Sequence, residues 1–293
     1  VYEANFTDQN RSTRDDRSDE QLIAEALKVV EGADVIIAAL GESIDMSGEG
    51  ASRAILEMPQ TQKKLLDAIQ KTGKPIVMVL FTGRPLALQS EEKQVNAILN
   101  VWFGGTEAGA AIADVLTGKV SPTGKLTMSF PRVTGQCPIY YNHKMTGRPM
   151  SPDAWYTRYV SNYIDVLNEP LYPFGYGLSY TTYTYGDVSL NMNSMDANGK
   201  IQASVIVTNT GAQDGEEIVQ LYLRDIVRSI TPPVQELKGF KRVALSKKVT
   251  FDIDVDMLKF YDSTLDYVAE PGEFQVMIGG NSKEVKTASF TLK

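Results

Sequence analysis

Val35-Ile36-Ile37-Ala38-Ala39-Leu40-Gly41 is a continuous apolar run closed by a glycine, and its reading decides the fold of the first half of the chain. A run of this kind reads as a strand buried on both faces, the form found in parallel sheets. Upstream, Ser18 and Gln21 are spaced as a capping box. Leu22, Ile23, Ala26, Leu27 and Val30 then recur at helical spacing up to Gly32. Downstream, Pro59 sits at the first turn of a helix carrying Leu65, Leu66 and Ile69, which stops near Gly73 and feeds a second apolar run, Ile76 to Phe81. Ala97 to Val101 reads as a third strand, Gly104-Gly105 as its turn, and Glu107 to Leu116 as an Ala-rich helix ended by Gly118. Strands separated by helices imply right-handed crossovers and an α/β layer with a mainly parallel sheet. The polar residues 1 to 17, with Arg11, Arg14, Asp15, Asp16 and Arg17, read as a loop or arm.

Beyond residue 120 the texture changes. Pro122, Gly124, Pro131, Pro138, Pro149 and Pro152 interrupt any regular period, so residues 133–180 are expected to form an irregular connection after an α/β domain over 1–132. From residue 181 to 293 helical periodicity is gone. Ile201, Ala203, Val205 and Val207 alternate with polar residues, as do Val219, Leu221 and Leu223, then Phe251, Ile253 and Val255, then Phe274, Val276 and Ile278. Asn198-Gly199, Asn209-Thr210-Gly211 and Pro271-Gly272 are turn signals between them, and about seven short strands point to an immunoglobulin-like β-sandwich. The expected fold class is α/β plus all-β.

With 36 acidic and 29 basic residues in 293, the formal charge of -7 argues against nucleic acid as a partner. The longest apolar runs have six residues, against roughly 18 for a membrane-spanning helix, so no membrane partner is expected. One Cys (Cys137) and one His (His143) make an internal disulfide impossible and a Cys/His metal site a poor reading; neither metal nor cofactor is expected. The first residues, Val-Tyr-Glu-Ala-Asn, carry neither an initiator Met nor a signal peptide, which reads as a piece of a longer polypeptide.

Ligands of open α/β sheets gather beyond the carboxyl ends of the strands. There lies Gly41-Glu42-Ser43-Ile44-Asp45-Met46-Ser47-Gly48-Glu49-Gly50-Ala51-Ser52-Arg53, with three carboxylates. Glu49 stands between two glycines, where the backbone can turn sharply and present the carboxyl group; the plain alternative is an ordinary acidic surface loop. Glu42 and Asp45 are weaker candidates, Glu42 because it directly follows the strand and can bond the loop backbone. The loop matches neither a dinucleotide fingerprint nor a phosphate cradle, and no serine elbow with a histidine partner is present. Trp102-Phe103-Gly104-Gly105-Thr106-Glu107 opens on the same sheet edge, and aromatic plates beside carboxylates suit a sugar, whose ring has an apolar face and a polar rim. Packing of Trp102 and Phe103 is the competing reading. Arg84 is read as a ligand donor or, more simply, an ion-pair partner, for example of Glu107, and His143 as a structural hydrogen-bonding residue.

The order Gly41-Glu42, Ser47-Gly48-Glu49-Gly50-Ala51-Ser52-Arg53, Thr82-Gly83-Arg84-Pro85-Leu86, Trp102 to Glu107, Gly124-Lys125-Leu126, Ser129-Phe130-Pro131, Gly147-Arg148-Pro149 and Tyr172-Pro173-Phe174-Gly175-Tyr176-Gly177-Leu178-Ser179-Tyr180-Thr181 resembles the carboxy-terminal half of family 3 glycoside hydrolases, the bacterial periplasmic β-glucosidases in particular. The resemblance implies an incomplete α/β sandwich domain followed by a fibronectin type III domain, with an amino-terminal (β/α)8 barrel lying outside this chain. It implies a retaining, exo-acting enzyme that removes terminal β-D-glucosyl units from β-glucosides or oligosaccharides. The nucleophilic Asp would be on the barrel, and Glu49 in Glu49-Gly50-Ala51-Ser52-Arg53 would be the acid/base, its pKa raised by desolvation and by the nucleophile's charge. Ser52 stands where an Asp is commoner, which removes one expected partner of Arg53. Glu42, Ser47, Arg53, Arg84, Trp102 and Glu107 are the expected substrate-binding residues. Periplasmic or extracellular location and a possible homodimer are further implications, and this chain alone is expected to be inactive. β-Xylosidase activity and a non-catalytic sugar-binding or scaffold role are the alternatives; the Glu49 loop argues against the N-acetylglucosaminidase branch.

Overall fold

The computed structural model describes residues 17–43, 46–150, 156–244 and 246–293. The chain divides into two compact units, Val1–Ala113 with Phe130–Cys137, and Asp114–Ser129 with Pro138–Lys293. The expected arm lies almost wholly outside the described residues.

The first unit carries a three-stranded parallel sheet, β1 (Ile36–Gly41), β2 (Ile76–Phe81) and β3 (Ala97–Asn100), in the order β1-β2-β3. Helix α1 (Asp19–Val30) begins at the expected capping box: Ser18 Oγ accepts from Gln21 N at 3.3 Å and Gln21 Oε1 accepts from Ser18 N at 2.9 Å. Its stripe Leu22, Ile23, Ala26, Leu27 and Val30 is half-buried, and α1 packs on α2 (Gln60–Gln70), which sets Leu66 and Ile69 into the core. Pro59 is the residue that caps α2 rather than its first helical residue; its carbonyl accepts from Gln62 N and Lys63 N. The third helix, α3, runs Ala108–Leu116.

One strand departs from expectation. Among the described strands of this sheet, only β2 is buried along both faces. In β1, Ile36, Ala38 and Leu40 are buried but Ile37 is 51 % exposed, so among the described residues β1 is covered on one face. An unbroken apolar run fixes strand identity but does not report how many faces are covered, because alternation is lost when both parities are apolar.

The second unit is a β-sandwich. Its strands are β4 (Tyr183–Tyr185), β5 (Ser189–Leu190), β6 (Ser194–Met195), β7 (Lys200–Asn209), β8 (Glu216–Asp225), β9 (Glu236–Ala244), β10 (Lys247–Asp254), β11 (Phe260–Tyr261), β12 (Tyr267–Val268), β13 (Gly272–Gly279) and β14 (Val285–Leu292). One sheet runs β10-β7-β4 with β5 also on β7, the other β6-β14-β13-β8-β9. The alternating sets read from the sequence point inward as one core, including Ile201, Val205, Leu221, Ile253, Phe274, Val276 and Ile278. Val255 packs against this core from outside the strand: β10 stops at Asp254, whose Oδ1 accepts from Met257 N and starts a 3₁₀ turn.

The Pro/Gly-rich connection owes its order to the sandwich. Leu126 N donates to Tyr176 O (2.8 Å) and Gly175 N to Leu126 O (2.7 Å), while Lys125 reaches Gly177 O (2.7 Å) and Glu217 Oε1 (3.0 Å). Gly175 has φ +81°, and a Cβ there would lie 2.1 Å from Gln220 Oε1; Gln220 in turn donates to Gly175 O and Gly280 O. Phe174 stacks on Tyr141 at 4.3 Å between ring centroids, and Tyr141 meets Tyr222 edge-on. The Pro173 to Thr181 string is thus a docking strap of the second unit, which explains its dense glycine and aromatic content.

At the end of β8, Asp225 is 8 % exposed and neither carboxylate oxygen has a hydrogen-bond partner among the described residues. Burial pushes its pKa from 3.8 up to about 6, against the opposing charge of Arg228. The folded state therefore holds a proton that the unfolded chain releases. The stability this proton confers is full below pH 3.8 and is lost as pH rises to about 6. Asp225→Asn should stabilise the second unit above pH 6 by on the order of 2 kcal/mol, raising its Tm by roughly 5 °C. Between pH 3.8 and about 6 the Tm of the variant should gain on that of the parent as pH rises, because the declining contribution of Asp225 is gone. Parallel Tm–pH curves for the variant and the parent would refute this.

Candidate active site

Three strand ends and the loop after β1 build the site. Gly41 closes β1 with φ +127°, and a Cβ would lie 1.9 Å from Phe81 O, so only glycine lets β1 end this close to β2. Gln62 of α2 clamps the same residue: its Oε1 accepts from Gly41 N at 2.7 Å and its Nε2 donates to Gly41 O at 2.8 Å.

Glu42 comes next and is enclosed, its side chain 0 % exposed. Its Oε1 lies 2.9 Å from Arg53 Nη1 and 3.1 Å from Arg84 Nε; the Arg84 contact is an ion pair without hydrogen-bond alignment. Oε2 accepts from the Thr82 hydroxyl (2.9 Å) and from Gly83 N (3.2 Å). One carboxylate thereby neutralises two arginines from different loops. Arg53 also donates to Glu57 O at 2.9 Å. The ion-pair reading of Arg84 is met with Glu42 rather than Glu107, and the absence of an Asp at position 52 is offset by the same carboxylate.

Arg84 closes the loop. Its Nη2 donates to Met46 O (2.6 Å) and Ala51 O (2.9 Å), the two ends of the segment that carries Glu49. Within that neck, Ala51 N donates to Gly48 O at 3.2 Å, and Gly48 (φ +127°) and Gly50 (φ +75°) adopt backbone angles closed to most side chains. Glu49 is the exposed residue at the tip, and its carboxylate makes no hydrogen bond or ion pair among the described residues. Ser47 is half-buried, with its hydroxyl against Gly83: a Cβ on residue 83 would lie 1.8 Å from Ser47 Oγ. Asp45 lies outside the described residues.

Trp102, after β3, has φ +50°, a conformation costly for a bulky residue and one that persists where the surroundings impose it. Its half-buried ring tilts against Phe130 with centroids 5.9 Å apart, while Phe103 is 48 % exposed with its ring edge near Gly83, where a Cβ would lie 3.1 Å from Phe103 Cε2. Glu107 is exposed at the start of α3. The structure therefore gathers Glu42, Ser47, Arg53 and Arg84 into one network with Glu49 carried on it, and leaves Trp102 and Glu107 outside that network. Thr82 and Gln62 were not singled out in the sequence. A buried threonine and a helix glutamine carry no local signal; only their partners 40 and 21 residues away give them a role. His143 contributes backbone pairing, its carbonyl accepting from Val234 N at 2.9 Å. Among the described residues no group of three or more His, Cys, Asp or Glu is placed to hold a metal ion, and no helix is long and apolar enough to cross a membrane.

Residues 4–180 match the glycosyl hydrolase family 3 C-terminal domain, and residues 217–282 a fibronectin type III-like domain. The chain is 50 % identical over 282 residues to the periplasmic β-glucosidase of Salmonella typhimurium, covering 95 % of this chain and 37 % of that protein. It is 42 % identical to a β-xylosidase of Formosa agariphila, covering 92 % of this chain and 37 % of that one. The crystal structure of a β-glucosidase from Listeria innocua in complex with glucose superposes with a TM-score of 0.90 at 40 % identity, over 94 % of this chain and 39 % of that one. The chain thus spans well under half the length of the relatives it matches. On the matched domain, the parallel sheet and the sandwich that follows it, this protein belongs to glycosyl hydrolase family 3.

Proposed function

We propose that this chain is the C-terminal part of a retaining, exo-acting β-glucosidase and that Glu49 is its general acid/base. The observation that carries the reading is the presentation of Glu49: an exposed carboxyl group with no hydrogen-bond or ion-pair partner among the described residues, at the tip of a turn whose neck is gripped by a buried ion network. A group that must give a proton to a departing oxygen and later take one from water has to be reachable and placed, not consumed by internal bonds. The nucleophile belongs to an N-terminal (β/α)8 barrel of the same polypeptide. Of the expected substrate-binding residues, Ser47, Trp102 and Glu107 retain that role in this reading, whereas Glu42, Arg53 and Arg84 serve as the frame. This reading includes a periplasmic or extracellular location, which the name of the Salmonella relative supports. A homodimer remains part of the proposal.

β-Xylosidase activity is the second reading, favoured by the Formosa relative. Aryl β-glucoside and β-xyloside turnover by the full-length polypeptide separates the two, and turnover of neither would favour a sugar-binding or scaffold role. The isolated 293-residue chain should show no turnover of aryl β-glucosides; Glu49-dependent activity of this chain alone would overturn the division of labour. The decisive test is Glu49→Ala in the full-length polypeptide with and without azide.

A further inference from the structure

We propose that Arg84 is the positioning residue for the acid/base, an inference that rests on the Glu49 reading above. Glu49 makes no side-chain hydrogen bond or ion pair among the described residues, so the backbone has to place its carboxyl group. That backbone is a short arch. Its two ends, Met46 O and Ala51 O, converge on one nitrogen of Arg84 at 2.6 and 2.9 Å. Between them, the glycines flanking Glu49 provide the bend but offer no side chain that could hold it. The guanidinium is held from behind: its Nε faces Glu42, which is buried and tied to Arg53, Thr82 and Gly83. A planar guanidinium can grip both carbonyls through one nitrogen while another faces the carboxylate as an ion pair, which an ammonium cannot reproduce with the same geometry. Ser47, packed against Gly83, limits sliding of the arch on one side. Release of the neck would let Glu49 drift by about an ångström, a displacement that can cost about 10²-fold in rate.

The experiment compares the full-length parent with Arg84→Gln, Arg84→Lys and Glu49→Ala on a series of aryl β-glucosides running from activated to poor leaving groups. Misplacing the acid harms only substrates whose departing oxygen needs a proton. Arg84→Gln should therefore lose about 10²-fold in kcat/KM on the poorest leaving group and little on the best. Arg84→Lys, which keeps a cation beside Glu42 and protects folding, should show the same trend at smaller amplitude; it carries the test alone if Arg84→Gln does not fold. An equal loss across the series, or no loss, would make Arg84 a merely structural residue and overturn the inference. Glu49→Ala separates the two failures. If its loss is steep in leaving group while the Arg84 variants are flat, positioning alone is wrong; if Glu49→Ala is itself flat, the Glu49 assignment is wrong and the inference falls with it.

Discussion

Glu49→Ala in the full-length polypeptide should lower kcat/KM for a poor leaving group by about 10²–10⁴-fold, the range general acid catalysis commands. The same change should leave kcat/KM nearly unaltered for an activated aryl glucoside, because that leaving group departs without a proton. Its kcat should still fall, since water must then attack the glycosyl-enzyme without a general base. Azide, a nucleophile that needs no deprotonation, should restore kcat and yield the β-glycosyl azide, the configuration that two successive inversions require. Activity that is undiminished without azide would make Glu49 an ordinary loop residue. Asp45 and Glu107 would then be the next carboxylates to replace.

Glu42→Ala should have the largest effect on folding. The carboxylate is fully enclosed, and it faces Arg53 and Arg84, whose side chains are only 15 % and 20 % exposed. Its removal leaves two largely desolvated guanidinium groups without their counter-charge, and breaking a buried pair in this way costs about 3–5 kcal/mol. Glu42→Gln keeps the volume and an acceptor for Thr82 but not the charge, and should recover only part of that loss. Denaturant unfolding of the first unit, followed through amide exchange of β1 and β2, measures it. A loss below about 1 kcal/mol for Glu42→Ala would mean that the arginines find water as readily as they find Glu42.

These two carboxylates show where reading from sequence reaches and where it stops. The turn that presents Glu49 was legible because its neighbours explain it: Gly48 and Gly50 are adjacent in the chain, and a positive-φ turn is a local property that two glycines announce. Glu42 was read as a substrate contact or a backbone acceptor of its own loop. Its actual partners, Arg53, Thr82, Gly83 and Arg84, lie 11 to 42 positions away, and nothing in a linear pattern says that three segments meet on one carboxylate. The Pro173–Thr181 string was recognisable as a motif for the same local reason, yet its purpose became clear only from Gln220 and Lys125, which belong to other segments.

Sequence alone determined the element types: three apolar runs for the parallel sheet, a capping box for α1, and alternating residues for the sandwich core. These follow from period and from capping chemistry, both of which act over a few residues. Tertiary structure alone decided which faces are covered, as in the exposed Ile37 beside the buried Ile36, and which charged side chains are consumed in pairing, as in Glu42 and Arg84. Burial and ion pairing depend on residues brought together by the crossovers, so they are properties of the packed chain and not of any stretch within it.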